Sequence, residues 1–178
     1  SEYRECIENI IETVHELTDI VEKLLMIARL NPSRVQQSFT TINLTDIMSE
    51  TVRAYQPALD NKNIRLVPRV APNVTIRGDA SLIRQAVGNI LDNAVKFTPK
   101  DGEITVTLEQ QKEDCVLCVS DTGPGIPDDV RLFLTQKEYP LSRGREMPTG
   151  RLGLTIVSQI VDIHQGKMLI DKNENGGT

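Results

Sequence analysis

The chain has 178 residues, of which 39% are hydrophobic and 25% charged, a composition typical of one soluble globular domain with a small appendage. Its net charge of −5, its aromatic content of 3% and its lack of tryptophan argue against a surface for nucleic acid. No apolar run approaches the roughly 20 residues that cross a bilayer, and residues 1–20 lack the apolar core of a signal peptide. We therefore expect any membrane anchor to lie outside this sequence.

Residues 3 to 30 are predicted to form one long helix, because apolar residues recur at alternating spacings of three and four. The pattern lasts about three heptads, which favours a dimeric helical bundle over a long rod. Asn31-Pro32 ends the helix, since proline has no amide hydrogen and disfavours helix in the residue before it. The apolar face consists of Ile7, Ile10, Val14, Leu17, Val21, Leu24 and Ala28.

A polar linker over residues 32–40 leads into alternating helical and extended patterns. Asparagine and threonine are good helix caps, so a second helix is predicted to begin at Asn43 or Thr45 and to run to Leu59. Helices mixed with antiparallel strands predict a layered α+β fold. The other predicted elements are strands in IRLVP and NVTIR, a helix over 80–96, strands over 103–110 and 114–120, an irregular segment over 122–151, a helix over 152–164 and a strand over 167–171.

The three cysteines, Cys6, Cys115 and Cys118, are an odd number and favour a reducing, cytosolic setting. Cys115 and Cys118 form a CxxC sequence, which could indicate a metal or redox site. They lie in a predicted strand, where residues three apart point to opposite faces and are about 10 Å apart. That separation is too large for a shared metal ion or a disulfide, so the pair is interpreted as structural.

A polar stripe runs along the predicted helix DASLIRQAVGNILDNAVKF. Gln85, Asn89, Asn93 and Lys96 follow one another at spacings of four, four and three, which places them on one face. Asparagine is a poor residue for a helix interior, so two on one stripe suggest a function. Amide oxygens can ligate a hard cation such as Mg²⁺, and a lysine can bind phosphate as a point charge. A plain solvated face is the alternative.

Glycines mark two further candidate ligand contacts. In VSDTGPGIPDD a strand delivers Asp121, and Gly123 and Gly125 let the backbone approach a ligand closely. A carboxylate at a strand end can accept hydrogen bonds from an amino group such as that of adenine, although a surface turn is equally compatible with this pattern. In TGRLGLTIV a glycine-containing loop enters a helix whose first amides suit phosphate. The closing GGT is another flexible turn, with a hydroxyl.

The motifs NILDNAVKFTP, DTGPGIP, GRLGLTIV and GGT, in this order, resemble the N, G1, G2 and G3 boxes of sensor histidine kinases. These kinases share an ATP-binding superfamily with gyrase, Hsp90 and MutL. The resemblance implies an α+β fold, a two-layer α/β sandwich of the Bergerat type, preceded by a long dimerisation-type helix. It implies three parts: residues 1–31 as the second helix of a dimerisation and phosphotransfer domain, 32–40 as a linker and 41–178 as the catalytic ATP-binding domain.

The same resemblance implies ATP and Mg²⁺ as cofactors and assigns roles to residues. Asn93 would be the Mg²⁺ ligand, Asn89 a second contact on the phosphate or metal side, and Lys96 a phosphate contact, with Asn89 and Lys96 acting in catalysis. Asp121 would read adenine. The other implied ATP contacts are Gly123, Gly125 and Ile126 at the base, Arg151, Gly153 and Leu154 on the phosphate side, and Thr178 in support of the adenine site.

Asn89 favours one type of reaction. ATPases of the superfamily carry a glutamate at this place as the general base for water, and an amide cannot take up a proton at neutral pH. Phosphoryl transfer to a neutral imidazole needs no strong base, because positioning and charge stabilisation suffice. The resemblance therefore implies a histidine kinase. It would act as a homodimer through the N-terminal helix and pass its phosphate to the receiver domain of a response regulator.

Two departures from the family pattern leave alternatives open. Arg151 stands where the G2 box has a glycine, and it could crowd the phosphates or pair with them. The lid keeps Phe133, but Tyr139 is a doubtful second aromatic, and Arg143 and Arg145 make the lid basic. A degenerate kinase domain that acts as a dimerising regulatory module is therefore the main alternative. A serine kinase of the anti-sigma type is disfavoured by the N-terminal helix.

His15-Glu16-Leu17 begins like the acceptor box of these kinases, which continues with a basic residue, Thr or Asn, and Pro. Here Thr18, Asp19 and Ile20 follow Leu17, and no proline bends the helix. Acceptor helices also precede a second bundle helix, whereas Pro32 ends the only helix predicted before the catalytic part. We therefore interpret His15 as a surface histidine and expect the phosphoacceptor on an upstream helix outside this sequence.

Overall fold

The computed structural model of the chain describes residues 2–29, 32–112, 114–127, 131, 152–172 and 177. The helices and strands of these residues are, in chain order, α1 (Glu2–Arg29), α2 (Pro32–Gln37), β1 (Thr40–Asn43), α3 (Leu44–Ala54), α4 (Gln56–Asn61), β2 (Arg65–Val70), β3 (Thr75–Gly78), α5 (Ala80–Phe97), β4 (Glu103–Gln111), β5 (Asp114–Asp121) and α6 (Leu152–Ile163). This order of mixed helices and strands is that of an α+β fold, as predicted.

The strands pair in two sheets of different size. β1 pairs with β3 in antiparallel orientation, with Ile42 opposite Ile76. In the three-stranded sheet β4 is central, and it pairs antiparallel with β5 and parallel with β2. The prediction of antiparallel strands is therefore confirmed for β4–β5 and wrong for β2–β4. The parallel pair requires a long crossover, and the chain between these two strands contains α5.

Helices α3 and α5 pack on one face of the central strand. In the first six residues of β4 every second side chain is fully buried, namely Ile104, Val106 and Leu108, and these side chains belong to one cluster with the apolar faces of both helices. Burying one such side chain stabilises the fold by about 1.5–3 kcal/mol. The other buried members of this cluster are Ile42, Leu44, Ile47, Met48, Val52, Leu59, Ile64, Val74, Val87, Leu91 and Ala94.

Capping side chains and one proline explain where the predicted helices begin and where one of them is interrupted. The side chain of Asp79 accepts hydrogen bonds from the backbone N–H groups of Ser81 at 2.8 Å and Leu82 at 3.0 Å, which starts α5 as predicted. Asn43 caps α3. The helix predicted to reach Leu59 is instead divided into α3 and α4, because Pro57 lacks an amide hydrogen and clashes with the carbonyl four residues earlier.

Two further predicted segments differ from the structure. The predicted linker over residues 32–40 contains the short helix α2 and the first residue of β1, with Pro32 at the first helical position, where its missing N–H has no consequence. Residues 167–171, predicted as a final strand, pair with no other strand in the part of the chain that is described.

Helix α1, which contains His15, confirms the helical conformation predicted for the N-terminal segment, whereas its role in dimerisation stays a prediction. Ile20 and Met26 pack against a second cluster formed by α5 and α6, which links this helix to the rest of the domain. Neither residue belongs to the predicted apolar face, of which five members are exposed: the exposed fractions are 57% for Ile7, 57% for Ile10, 54% for Val14, 56% for Leu17 and 53% for Val21. The side chains of its other two members, Leu24 and Ala28, lie outside the described part of the structure. None of the described helices is long and apolar enough to cross a membrane.

The two cysteines of the CxxC sequence lie on opposite faces of β5, as predicted. Cys115 is half-buried and Cys118 is exposed, and both are free thiols. Burial, and then the neighbouring Asp114, raise the pKa of the Cys115 thiol, so this side chain stays protonated and unreactive at neutral pH.

Tyr55 joins α3 to α5 through its hydroxyl. This hydroxyl lies 2.7 Å from Asp92 Oδ1 and 3.0 Å from the carbonyl oxygen of Gly88. Burial, and then the hydrogen bond to Asp92, raise the pKa of Tyr55 above its ordinary value of 10.0. The neutral phenol is thus the form that the fold stabilises.

We expect Tyr55→Phe to lower the free energy of unfolding by about 1 kcal/mol at neutral pH, the contribution of one such hydrogen bond. Because the folded pKa is raised, this contribution is fully present below pH 10 and is lost as the pH rises above it, where the unfolded chain ionises first. The measurement is thermal unfolding of both proteins from pH 8 to pH 11. A stability difference that grows at alkaline pH would contradict this account.

Candidate functional site

The polar stripe of α5 is not a solvated face. Asn89 is only 4% exposed and Asn93 is half-buried, whereas Gln85 and Lys96 at the two ends of the stripe are exposed. Among the described residues, no acceptor bonds the buried Nδ2 atoms of Asn89 and Asn93. Each unpaired buried donor costs about 1–3 kcal/mol. The two amides therefore suit a ligand rich in oxygen acceptors, and their oxygens suit a hard cation.

The first turn of α6 lies against Asn89. A Cβ atom added to Gly153 would stand 3.7 Å from Asn89 Oδ1 and 3.8 Å from its Cβ, at ordinary contact distance. The amides of a first helical turn have no intrahelical partner, and the helix dipole makes this end favourable for an anion. The side chain of Leu154 is buried at 8% exposure, so this residue can offer a ligand only its backbone.

The loop after β5 has a fixed conformation around Asp121. Oδ1 of Asp121 accepts a hydrogen bond from the N–H of Gly123 at 2.7 Å. A Cβ on Gly123 would lie 2.7 Å from that same Oδ1 and 2.9 Å from the carbonyl oxygen of Phe97, so no side chain fits. Gly125 has a φ of 76°, which L-residues with a side chain rarely adopt. Ile126 is half-buried. Both glycines singled out from the sequence thus have a steric reason.

The same loop is tied to the edge of the sheet. The N–H of Glu103 donates to Thr122 Oγ1 at 2.9 Å, and the N–H of Thr122 donates to the Glu103 carbonyl at 3.1 Å. These two bonds fix the point at which the chain leaves β5. The Asp121 carboxylate is therefore held at a defined position at the strand end, as the sequence predicts.

The end of α5 and the loop after β5 meet at Phe97. Lys96 Nζ lies 5.7 Å from the centroid of the Phe97 ring, at a distance suited to a cation–π contact. The Phe97 carbonyl packs against Gly123, as described above. The structure thus brings the α5 stripe into contact with two other sets of predicted site residues. Gly153 lies beside Asn89 of the stripe, and Gly123 and Asp121 lie at its carboxyl end.

Several predicted site residues belong to segments that the structure does not describe. They lie outside the described part of the chain and are Arg151, Thr178, and the lid residues Phe133, Tyr139, Arg143 and Arg145. Conversely, sequence reasoning missed Lys62, whose ammonium group binds the carboxyl end of α5. Its partners lie 33 and 34 residues away in the chain, so no local pattern could have revealed it.

The fold is a mixed α+β fold, and the sequence contains no Walker-type GxxxxGK(S/T) phosphate loop. A model of the family described as "Histidine kinase-, DNA gyrase B-, and HSP90-like ATPase" matches residues 78–178. Sensor protein CreC of Escherichia coli (strain K12) is 33% identical over 96% of this chain, which spans 35% of CreC. The chain thus spans about a third of the length of this curated relative.

Solved structures are similar over most of the described fold. The nucleotide-free catalytic domain of histidine kinase ThkA gives a TM-score of 0.66 at 25% identity, over 78% of this chain and 90% of that one. A complex of ThkA with the response regulator TrrA gives a TM-score of 0.72 at 22% identity, over 93% of this chain and 46% of that one. At this identity the similarity shows the fold alone. The chain therefore belongs to this family, as the ATP-binding catalytic domain of a sensor histidine kinase.

Proposed function

We propose that this domain binds Mg-ATP between α5, the loop after β5 and the first turn of α6, and transfers the γ-phosphate to a histidine. The observation that carries the proposal is Asn89, whose nearly buried amide lies beside Gly153. Hydrolysing members of the superfamily have a glutamate here to take a proton from water. An amide cannot accept that proton, so this site positions a phosphate without activating water.

The phosphate side is assigned to the α5 stripe and to α6. Asn93 is the proposed Mg²⁺ ligand, Asn89 a phosphate or metal-side contact and Lys96 a phosphate contact, and the unpaired amides of both asparagines support these roles. Mg²⁺ bound there would neutralise part of the charge of the phosphates. The backbone of Gly153 and Leu154 would add the N-terminal amides of α6.

The base side is assigned to the loop after β5. Asp121 would accept a hydrogen bond from the amino group of adenine, with its carboxylate orientation fixed by the Gly123 N–H. Gly123, Gly125 and Ile126 would surround the base. Thr178 would support the adenine site, as the family resemblance implies, and Arg151, which stands where the family has a glycine, would pair with the phosphates.

The proposed acceptor is a histidine on a helix upstream of residue 1. A neutral imidazole nitrogen is a nucleophile without prior deprotonation, so the domain needs only to align it with the γ-phosphate and stabilise the charge. His15 is not proposed, because the residues after it depart from the acceptor box. Residues 1–31 are proposed as the second helix of the dimerisation and phosphotransfer domain, 32–40 as the linker and 41–178 as the catalytic domain.

The proposed partners follow from α1 and from the relatives. The exposed apolar face of α1, including Ile10 and Leu17, would be covered by the upstream helix and by a second copy in a homodimeric bundle. A receiver domain of a response regulator would take the phosphate, since the similar kinase ThkA was crystallised with its regulator TrrA. We propose that the kinase acts in the cytoplasm and that it contacts a membrane only through regions outside this sequence.

The test mixes this chain and Mg-ATP labelled at the γ-phosphate with a longer version of the chain that restores the upstream helix. The longer version carries Asn93→Ala, so that it cannot phosphorylate itself. Acid-labile, base-stable label on the longer chain is the expected result. ATP binding without transfer would favour the alternative, a degenerate domain acting as a dimerising regulatory module. Release of free phosphate at a steady rate would contradict the role given to Asn89.

A further inference from the structure

Lys62 binds the carboxyl end of the helix that carries the asparagine stripe. Its Nζ lies 2.7 Å from the carbonyl oxygen of Val95, 3.0 Å from that of Lys96 and 3.5 Å from that of Thr98. The last carbonyls of a helix have no intrahelical partner. An ammonium group has three donors and no acceptor, so the Lys62 side chain can donate a hydrogen bond to each of these three carbonyl oxygens.

The position of Lys62 is also fixed through the backbone. Its carbonyl accepts a hydrogen bond from the N–H of Asp101 at 3.2 Å, and the N–H of Arg65 donates to the Gly102 carbonyl at 2.8 Å. The segment after α4 is thus fastened to the turn after α5 at Lys62 itself and three residues later, at Arg65. The side chain is half-buried, so its charge is less screened than that of a surface lysine.

The end of α5 is the part of the helix where both halves of the site meet. Lys96 projects from this turn, and the carbonyl of the next residue, Phe97, is the surface on which Gly123 packs at a distance that admits no side chain. Gly123 in turn holds Asp121 through its N–H. Fraying of the last turn of α5 would therefore displace Lys96 and loosen the support of the Asp121 loop together.

We propose that Lys62 is a positioning residue of the nucleotide site, which caps α5 and thereby sets both Lys96 and the Asp121 loop. A cation at a helix carboxyl end opposes the partial negative charge of that end, which adds to the hydrogen bonds. The effect on ATP affinity rests on the proposed roles of Lys96 and Asp121. The effect on the geometry of the loop does not.

The test compares the wild-type chain with Lys62→Met, which keeps an unbranched side chain one atom shorter and removes its charge and donors. Without nucleotide, we expect faster hydrogen exchange at the Thr98 amide, which donates to Ala94 in the last turn of α5, and shifted amide resonances at Gly123 and Gly125. With ATP, we expect affinity to fall by about tenfold, the scale of losing one helix cap and its charge.

Three control variants separate positioning from general stability. Lys62→Arg keeps a cation with several donors and should recover most of the affinity. Lys100→Met removes an exposed lysine two residues beyond Thr98 and should change neither readout. Ile47→Val weakens the core under α3 and should lower the melting temperature while ATP affinity and the Gly123 resonance stay unchanged.

Unchanged exchange at Thr98 and unchanged Gly123 resonances in Lys62→Met would overturn the proposal, whatever the affinity. The proposal would also be overturned if Ile47→Val, with a melting temperature equal to that of Lys62→Met, lost as much ATP affinity as Lys62→Met. The loss would then follow from lower stability alone. A wild-type chain that does not bind ATP would refute the proposed function. The two nucleotide-free readouts would still decide the role of Lys62.

Discussion

Replacing Asn93 with alanine is expected to remove the Mg²⁺-dependent part of ATP binding and to leave the fold intact. Asn93 is half-buried, and no acceptor among the described residues bonds its Nδ2 atom, so its removal breaks no hydrogen bond of that atom in the folded chain. Alanine is also the better helix former at this interior position of α5. A lost metal ligand should weaken Mg-ATP binding by about 100-fold or more. This exceeds the 10–100-fold loss typical of residues that only hydrogen-bond to a metal ligand.

The measurement is a calorimetric titration of ATP with Mg²⁺ and again with a chelator, in the wild type and in the variant. The wild type should bind more tightly with Mg²⁺, whereas the variant should bind equally weakly in both conditions. Gln85→Ala is the matched control, because Gln85 belongs to the same stripe but is exposed at its far end. An Asn93→Ala chain that retains the full effect of Mg²⁺ would remove Asn93 from the metal site.

The elements that the sequence predicts well are those with a local cause. The Asp79 cap, the period of α5 and the alternation along β4 each depend on residues a few positions apart. The parallel pairing of β2 with β4 has no such signal, because Arg65 and Glu103 are brought together only by the fold. Pro57 explains the break between α3 and α4, but the apolar pattern continues through it and therefore predicts a single helix.

The candidate site likewise has features that local sequence predicts and features that only the fold creates. The motifs identify Asn89 and Gly123 through the family resemblance, but only burial decides that the asparagine stripe is not a solvated face. The neighbours that give these residues their environment come from distant segments: Gly153 beside Asn89, and the Phe97 carbonyl beside Gly123. The role of Lys62 depends on a contact across 33 residues, which periodicity and composition do not encode.

Gly123→Ala is expected to abolish nucleotide binding by displacing the Asp121 loop. The new methyl group would stand 2.7 Å from Asp121 Oδ1, which accepts the Gly123 N–H, and 2.9 Å from the Phe97 carbonyl oxygen, which is a backbone atom. Relief of the overlap must move the carboxylate or the last turn of α5. Overpacking of this kind costs about 1–3 kcal/mol. Because the adenine contact itself is lost, affinities for ATP, ADP and adenosine should all fall, with or without Mg²⁺.

This loss differs from that of Asn93→Ala, which should act only through the metal and leave adenosine binding unchanged. Gly88→Ala is the matched control, a glycine in the interior of α5 where an added Cβ would meet, among the described residues, only Tyr55 Oη at an ordinary 3.6 Å. Alanine there should raise the free energy of unfolding by about 0.5–1 kcal/mol, because glycine is the poorer helix residue. If Gly123→Ala binds adenosine like the wild type while Gly88→Ala behaves as expected, Asp121 does not read the base, and the adenine site must be sought elsewhere on the domain.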